Sequence, residues 1–116
     1  MTDRQLRITE LWTAVNRQDF EAAIALLHPD VDWQDIVNGG RLHGIAAVRA
    51  YWTRISELLT SDSSPITYRL IGEDRIAARM LHSLTGKQGK VWGEEALTQV
   101  FTLRDGLIVR MDLDEG

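Results

Sequence analysis

The spacing of apolar residues changes once along this chain, and that change limits the fold more than any other feature. Before residue 60, apolar residues recur at intervals of three and four, the pattern of a helix that is buried on one side. After residue 65 they alternate with polar residues, the pattern of half-buried strands. Helices first and strands afterwards are typical of an α+β domain, in which helices cover one face of an antiparallel sheet.

Two helices are predicted at the start of the chain. The first carries its apolar face over residues 8–15. Asp19 is placed to accept main-chain N–H bonds at the N-terminus of the second helix, whose apolar face extends to Leu27. This helix is predicted to end at His28 and Pro29, because the residue before a proline is pushed out of the α region.

A short strand, a glycine-rich turn and a third helix follow. Val31, Trp33 and Asp35 fall on one side of the strand, the apolar side. The turn leads into the longest helix, over residues 45–59. The polar residues 60–65 are predicted to be a connection without regular structure.

Four further strands complete the predicted order α-α-β-α-β-β-β-β. The inner faces of these strands include His82 on the second, Gln99 on the third and Met111 on the fourth. In the fourth strand, Leu107 and Val109 are predicted to point the same way as Met111, since side chains alternate along a strand.

Length, charge and composition exclude several classes of function. We expect one domain over residues 1–116, because a chain of this size supports a single core. The net charge of -4, with scattered basic residues, argues against nucleic-acid binding. There is no cysteine, and the three histidines lack a ligand-like spacing, so neither a metal site nor a cofactor is predicted. No segment approaches the ~20 apolar residues of a membrane span, and a cytoplasmic location is expected.

Four segments resemble the nuclear transport factor 2-like superfamily, which includes ketosteroid isomerases, SnoaL-like polyketide cyclases and limonene-epoxide hydrolases. They are Ala-Val-Asn-Arg-Gln-Asp-Phe at 14–20, Leu-Leu-His-Pro-Asp-Val-Asp-Trp at 26–33, Gly44 with Val48-Arg49 and Tyr51-Trp52, and Phe-Thr-Leu-Arg-Asp-Gly-Leu-Ile-Val-Arg at 101–110. The resemblance implies a single SnoaL-like domain with a cone-shaped α+β fold. In that fold three N-terminal helices pack on a curved, mixed and mostly antiparallel sheet. It also implies a homodimer.

The resemblance to ketosteroid isomerase extends to individual residues. From Ala14 to Tyr51 the sequence can be laid on that enzyme without a gap, and Asp35 then falls on its catalytic aspartate. In the isomerase this carboxylate takes a proton next to a carbonyl, while a tyrosine and a protonated aspartate hold the oxyanion. Here the tyrosine position is Leu11, which cannot donate, and the protonated aspartate position is Gln99, whose amide can. The base is therefore retained and the oxyanion site is changed.

Other side chains are predicted to complete an apolar pocket around these groups. His82 is either a second acid or base or a hydrogen-bonded core residue. Glu95 is either a carboxylate at the pocket mouth or a solvated hairpin residue. Asp35 also has a second interpretation, in which it caps the glycine-rich turn through its side chain. The predicted ligand-binding wall consists of apolar residues that also suit a core: Leu11, Trp12, Trp33, Trp52, Phe101 and Met111.

Three functions are compatible with this pattern. The first is a cofactor-free acid–base enzyme, isomerase or cyclase-like, that acts on a small apolar carbonyl compound through Asp35, Gln99 and His82. The second is a non-catalytic module that binds a hydrophobic ligand or dimerises through the outer face of the sheet. The third is an epoxide hydrolase-like enzyme, which needs two aspartates and an arginine around one water. Arg110 and Asp112 offer such groups, but on the strand face opposite Leu107, Val109 and Met111.

Overall fold

Three helices and six strands make up the described part of the structure. It is a computed structural model, described for residues 2–36 and 38–114, with the main chain alone at positions 91 and 92. The domain is α+β, as the sequence predicts. In chain order the elements are α1 (Asp3–Asn16), α2 (Phe20–Ile24), β1 (Leu27–Gln34), β2 (Arg41–His43), α3 (Ile45–Leu58), β3 (Leu59–Leu70), β4 (Arg75–Gly86), β5 (Val91–Arg104) and β6 (Leu107–Asp114).

Local hydrogen bonds explain where the first two helices begin. The Thr2 side chain accepts from the main-chain N–H of Gln5, whose own side chain accepts from the Thr2 N–H, so the two residues form a capping box for α1. The Asp19 side chain accepts from the N–H of Ala22 at 3.2 Å, which confirms the predicted cap of α2. Before α3, Gly44 has a φ of +86°, which glycine adopts without the penalty that a Cβ brings.

All six strands form one sheet in the order β2-β1-β6-β5-β4-β3. β1 and β6 are parallel, and the other neighbours are antiparallel. This confirms the predicted mixed, mostly antiparallel sheet; the cone shape stays a prediction. One core joins helices and strands, and its fully buried side chains come from both: Ile8, Leu11, Val48, Met80 and Phe101.

Two predictions around the first strand were wrong. α2 ends at Ile24 and β1 begins at Leu27, so Pro29 lies within a strand instead of ending a helix. The strand accommodates Pro29 because its pairing with β6 is irregular between Leu27 and Asp32, where a missing N–H interrupts no regular ladder. Part of the predicted glycine-rich turn is a short strand, β2, which pairs with the end of β1.

The unstructured connection predicted over residues 60–65 was also wrong. This segment belongs to β3 and pairs residue by residue with β4, from Thr60 opposite Thr85 to Pro65 opposite Met80. Main-chain hydrogen bonds to a neighbouring strand outweigh the weak strand preference of serine and aspartate, because strand preference depends strongly on context.

An irregularity also changes which residues of β6 are buried. Ile108 and Met111 are both fully buried, whereas Leu107 and Val109 are only half-buried. Strand alternation predicted Leu107 and Val109 on the buried side. The pairing of β5 with β6 shifts by one residue at Val109, and such a bulge reverses the alternation on one side of it.

Candidate functional site

A cavity of about 490 Å³ lies between the helices and the sheet. Its volume is within the range of small-molecule sites. All three helices and four of the strands contribute to its wall. Among the described residues, the lining consists of Trp12, Val15, Gln18, Phe20, Trp33, Ile36, Tyr51, Trp52, Ile55, Ser56, Leu59, Ser61, Ser63, His82, Leu84, Gly93, Glu94, Glu95 and Leu97.

Three tryptophans form most of the aromatic part of the described wall. Trp12, Trp33 and Trp52 are 5%, 1% and 5% exposed, so they belong to the core as well as to the cavity. The Trp33 ring centroid lies 6.0 Å from that of Trp12 and 5.5 Å from that of Trp52. Phe20 stacks on Trp52 at 6.1 Å. Each such pair contributes about 0.5–1.5 kcal/mol beyond its buried area, so neighbouring rings hold one another in place.

Hydrogen bonds connect His82, on the cavity wall, through Ser63 to Asn16 at the end of α1. The Nδ1 of His82 lies 2.6 Å from the Oγ of Ser63 on β3. The Asn16 side chain binds both main-chain groups of Ser63. Nδ2 donates to the carbonyl oxygen at 2.8 Å, and Oδ1 accepts from the N–H at 2.9 Å. A helix and an edge strand therefore fix the orientation of the imidazole.

The other nitrogen of this imidazole is buried without a partner. In the described part of the structure neither His82 Nε2 nor Trp12 Nε1 makes a hydrogen bond, and the two ring centroids are 5.6 Å apart. Burial lowers the pKa of His82 below its usual value, although the charge of Glu95 opposes this effect. The imidazole is therefore neutral near pH 7, and its Nε2 can take up or give a proton.

Gln99 is the third residue of the described part of the chain that has a buried polar group without a hydrogen bond. It is fully buried on β5, between Ala78 of β4 and Leu113 of β6. Within the described residues neither its Nε2 nor its Oε1 makes a hydrogen bond. A buried polar group without a hydrogen bond costs about 1–3 kcal/mol of stability. Gln99 shares a side of β5 with Leu97 and Glu95, which line the cavity, but it lies outside the described lining itself.

Asp35 follows the last residue of β1 and is 7% exposed. Its Oδ1 accepts from the N–H of Asn38 at 2.8 Å, and its Oδ2 accepts from Asn38 Nδ2 at 3.3 Å. The main chain of Asp35 is also bonded to Gly39 and Gly40. This is the turn-capping arrangement. The described lining includes the next residue, Ile36, and does not include Asp35, whose catalytic role stays a prediction.

The remaining predicted residues divide between the core and the wall. Leu11, Phe101 and Met111 are fully buried in the core and lie outside the described lining. Alternation along a strand indicates the side to which a residue points, but not its depth, so the sequence placed them in the wall. Glu95 is paired with His82 across β4 and β5, and it lines the cavity.

Ser63 and Asn16 were missed by the sequence analysis. Ser63 falls in the segment that was predicted as a connection, and Asn16 was read only as the end of a helix. No periodic signal marks Ser63, because its neighbours Asp62 and Ser64 are equally polar and its position is out of phase with Ile66, Tyr68 and Leu70. No local signal links Asn16 to Ser63, because the contact joins residues 47 positions apart.

Four charged side chains form a network on β1, β2 and β6. Arg41 binds Asp32 through Nε and Asp112 through Nη1 at 3.0 Å, and Arg110 binds the same two carboxylates at 3.2 and 2.9 Å. Partial burial would raise the pKa of Asp32, but the hydrogen bond and charge of Arg41, with the charges of His43 and Arg110, outweigh burial and lower it. Arg110 and Asp112 are the groups of the epoxide-hydrolase hypothesis, and none of the four side chains belongs to the described lining.

Two further findings bear on the classes considered from sequence. Within residues 2–36 and 38–114, no three His, Asp or Glu side chains are grouped as a metal site would need. In the same part of the chain, none of the helices is both long enough and apolar enough to pass through a membrane.

Fold and cavity together define the class: an α+β protein of the nuclear transport factor 2-like type, with a cavity of small-molecule size between helices and sheet. The model of the SnoaL-like domain matches residues 8–111, and the chain belongs to that family. A comparison with curated proteins found no match.

Solved structures share this fold over nearly the whole chain. The Delta 5-3-ketosteroid isomerase of a Mycobacterium species has a TM-score of 0.84 and 18% identity, over 100% of this chain and 95% of that one. A Mycobacterium tuberculosis protein in complex with estradiol-17beta-hemisuccinate has a TM-score of 0.85, with the same identity and coverage. An NTF2-like protein of unknown function from Burkholderia pseudomallei has a TM-score of 0.84 and 21% identity, over 98% and 91% of the two chains. At these identities the likeness establishes the fold alone.

Proposed function

We propose that this protein binds a small, largely apolar carbonyl compound in the cavity and moves a proton on it, as an isomerase or a cyclase does, without a cofactor. The observation that carries the proposal is the neutral imidazole of His82 on an aromatic wall, with Nδ1 bound to Ser63 and Nε2 buried. A positioned imidazole that is neutral near pH 7 can remove a proton next to a carbonyl and return it. The fold likeness to a ketosteroid isomerase agrees with this chemistry.

The proposed hydrogen-bond donors of the reaction are Trp12, in the cavity wall, and Gln99, which is buried behind the described lining. Both have buried N–H donors that make no hydrogen bond within the described residues. When the α proton leaves, negative charge develops on the carbonyl oxygen, and donors already in place stabilise it. The tryptophan walls hold the apolar body of the ligand.

Asp35 is the alternative proton carrier. Its carboxylate already accepts two hydrogen bonds from Asn38, whereas the imidazole of His82 lines the cavity. We therefore assign the proton transfer to His82. The two assignments predict different results for one pair of variants.

The experiment is deuterium exchange at the α carbon of a panel of cyclic enones and diketones, followed by NMR. Binding of each compound is measured in parallel by quenching of tryptophan fluorescence. The variants are His82→Gln, Asp35→Asn and, as a control, His43→Gln, which changes an exposed histidine outside the described lining. We expect wild-type protein and His43→Gln to catalyse exchange, and His82→Gln to bind the same compounds without exchange.

Each other outcome contradicts a defined part of the proposal. Exchange that is lost in Asp35→Asn but kept in His82→Gln would make Asp35 the base. Binding without exchange in the wild type would leave a non-catalytic binding module. No binding of any compound would remove both small-molecule functions.

We further propose that the chain acts in the cytoplasm as a homodimer that pairs through exposed apolar side chains near β3. Ile66, Leu70 and Leu81 on β3 and β4 are 56%, 50% and 36% exposed. Apolar patches of this kind mark surfaces that associate. The absence of cysteine agrees with a reducing compartment.

A further inference from the structure

We infer that the ligand of the cavity carries a positive charge, such as an ammonium group, and that the cavity discriminates against carboxylates. The inference rests on the proposed function, because it names the charge of the molecule that the same cavity binds. It goes beyond that function because acid–base chemistry on a carbonyl compound sets no charge for the rest of the ligand.

The side chains of the described lining that carry a charge near pH 7 are glutamates. Glu94 and Glu95 line the cavity, and no Lys or Arg side chain is part of the described lining. The whole chain has 13 Lys and Arg residues, so basic residues are common in the protein and are placed elsewhere. A ligand carboxylate would meet the carboxylate of Glu95, which pairs with His82 on the inner side of β5, and no Lys or Arg side chain of the described lining to neutralise it.

Glu95 is the carboxylate best placed to act on a ligand. It is paired with His82 across β4 and β5, and cross-strand partners point to the same side of a sheet. The effect of Glu95 reaches the cavity, since its charge raises the pKa of His82 against the effect of burial. The charge of Glu95 attracts any other cation at this position as well, while burial opposes that attraction as it does for the imidazole.

Aromatic rings supply a second attraction for a cation. Five aromatic residues belong to the described lining: Trp12, Phe20, Trp33, Tyr51 and Trp52. The faces of such rings carry negative potential, and tryptophan is the strongest of them, so rings around a cavity bind ammonium groups and repel anions. The aromatic rings and the Glu95 carboxylate therefore both favour a ligand with a positive charge.

The indole N–H of Trp12 in the wall also favours a ligand that carries an oxygen atom. Trp12 is 5% exposed, lines the cavity, and its Nε1–H makes no hydrogen bond within the described residues. This N–H can only donate, so it requires an acceptor such as a carbonyl oxygen. The ligand class that meets both requirements is a compact apolar molecule with a carbonyl or hydroxyl oxygen and an amine, such as an amino ketone.

Three matched probes test the sign of the charge. They are 2-(aminomethyl)naphthalene, 2-(hydroxymethyl)naphthalene and 2-naphthoic acid, which share one ring system and are cationic, neutral and anionic near pH 7. Dissociation constants are measured by tryptophan fluorescence and calorimetry at low and high salt. We expect the amine to bind tightest and the acid at least about tenfold more weakly, with a smaller difference at high salt.

Two variants locate the source of the preference. Glu95→Gln is expected to weaken binding of the amine and to strengthen binding of the acid, with the alcohol unchanged. Glu73→Gln makes the same change in net charge in the exposed turn before β4, and it should leave all three affinities unchanged.

Equal or tighter binding of the acid or the alcohol would overturn the inference and leave the proposed function intact. An equal effect of Glu73→Gln and Glu95→Gln would also overturn it, because the preference would then come from net charge alone. Failure of all three probes to bind would contradict both this inference and the proposed cavity function.

Discussion

His82 shows at the scale of one residue how surroundings decide chemistry. Its position on the apolar side of a strand was readable from the sequence, but its properties come from two contacts and from burial. The Ser63 hydroxyl binds Nδ1, the ring centroid of Trp12 lies 5.6 Å from that of His82, and burial lowers the pKa of His82. Together these contacts leave a neutral imidazole with one buried nitrogen facing the interior.

The free energy of unfolding should depend on pH below neutrality because the pKa of His82 is lowered in the folded state. Its folded pKa lies below the ordinary 6.5, so the unfolded chain takes up the proton first as the pH falls. The wild type should therefore lose stability from about pH 6.5 downwards, until the pH passes the folded pKa. We expect His82→Gln to have a shallower dependence between about pH 7 and pH 5. Urea unfolding at a series of pH values measures it.

His43→Gln provides the control for this experiment, because the side chain of His43 is 75% exposed. That variant should keep the wild-type slope. A His82→Gln variant with the same slope as the wild type would show that His82 is not buried in its neutral form.

At the scale of elements, Asn16 joins the end of α1 to the edge strand β3. Its amide bonds to the N–H and the carbonyl oxygen of Ser63, as a neighbouring strand would. β3 is the last strand of the sheet, so the side of Ser63 away from β4 has no strand partner in the described sheet. The Asn16 side chain satisfies main-chain groups at this exposed edge and positions the Ser63 hydroxyl for His82.

Replacing Asn16 by alanine is expected to lower the free energy of unfolding by about 1–3 kcal/mol, because two partly buried main-chain groups lose their partner. Asn16→Asp keeps the acceptor for the Ser63 N–H but loses the donor, and it should be intermediate. Denaturant unfolding measures both variants. Histidine ring ¹⁵N shifts should change in the alanine variant, since Ser63 is no longer held against His82. Unchanged stability in Asn16→Ala would contradict this role.

The charged network fastens the short strand β2 to β1 and β6. Besides its two ion pairs, Arg41 donates from Nη2 to the carbonyl oxygens of Met111 at 2.9 Å and Asp32 at 3.3 Å. The side chains of Arg41 and Asp32 are 26% and 21% exposed, so water screens this contact only in part.

Arg41→Gln is expected to lose about 1–3 kcal/mol of stability near neutral pH. Since the pKa of Asp32 is lower in the folded state than its ordinary 3.8, its contribution is present above pH 3.8 and disappears as the pH falls through the folded pKa. The difference in the free energy of unfolding between wild type and Arg41→Gln should therefore become smaller in acid, as measured by urea unfolding. Arg69→Gln, at an exposed position of β3, should have the same free energy of unfolding as the wild type at each pH. A difference between wild type and Arg41→Gln that became larger in acid would contradict this account.

At the scale of the whole molecule, several large apolar side chains on and around β3 and β4 are exposed. Most of the large exposed apolar side chains in the described residues lie in α3, β3, β4 and the turn between these strands: Leu58, Ile66, Leu70, Ile71 and Leu81. In the proposed pairing, a second copy of the chain would bury side chains of this set.

Ile66→Lys is expected to convert a dimer into a monomer, because Ile66 is 56% exposed in one chain and a buried lysine at the contact has no partner. Sedimentation velocity measures the change. Leu6→Lys alters a side chain on α1 that is 45% exposed, and it should leave the dimer intact. A monomeric wild type would contradict the proposed pairing.

The sequence alone determined the features that depend on local spacing. Apolar periodicity gave the α+β class, the cap at Asp19 and the inner face of β4, because helix and strand periods act over a few residues. Tertiary structure decided the rest. Residues 60–65 became a strand through pairing with β4, and Ser63 then met both His82 and Asn16. The depth of Gln99 and the hydrogen bonds of Asp35 are likewise set by neighbours across the sheet and around the turn. Such contacts join positions whose spacing in the sequence carries no periodic signal.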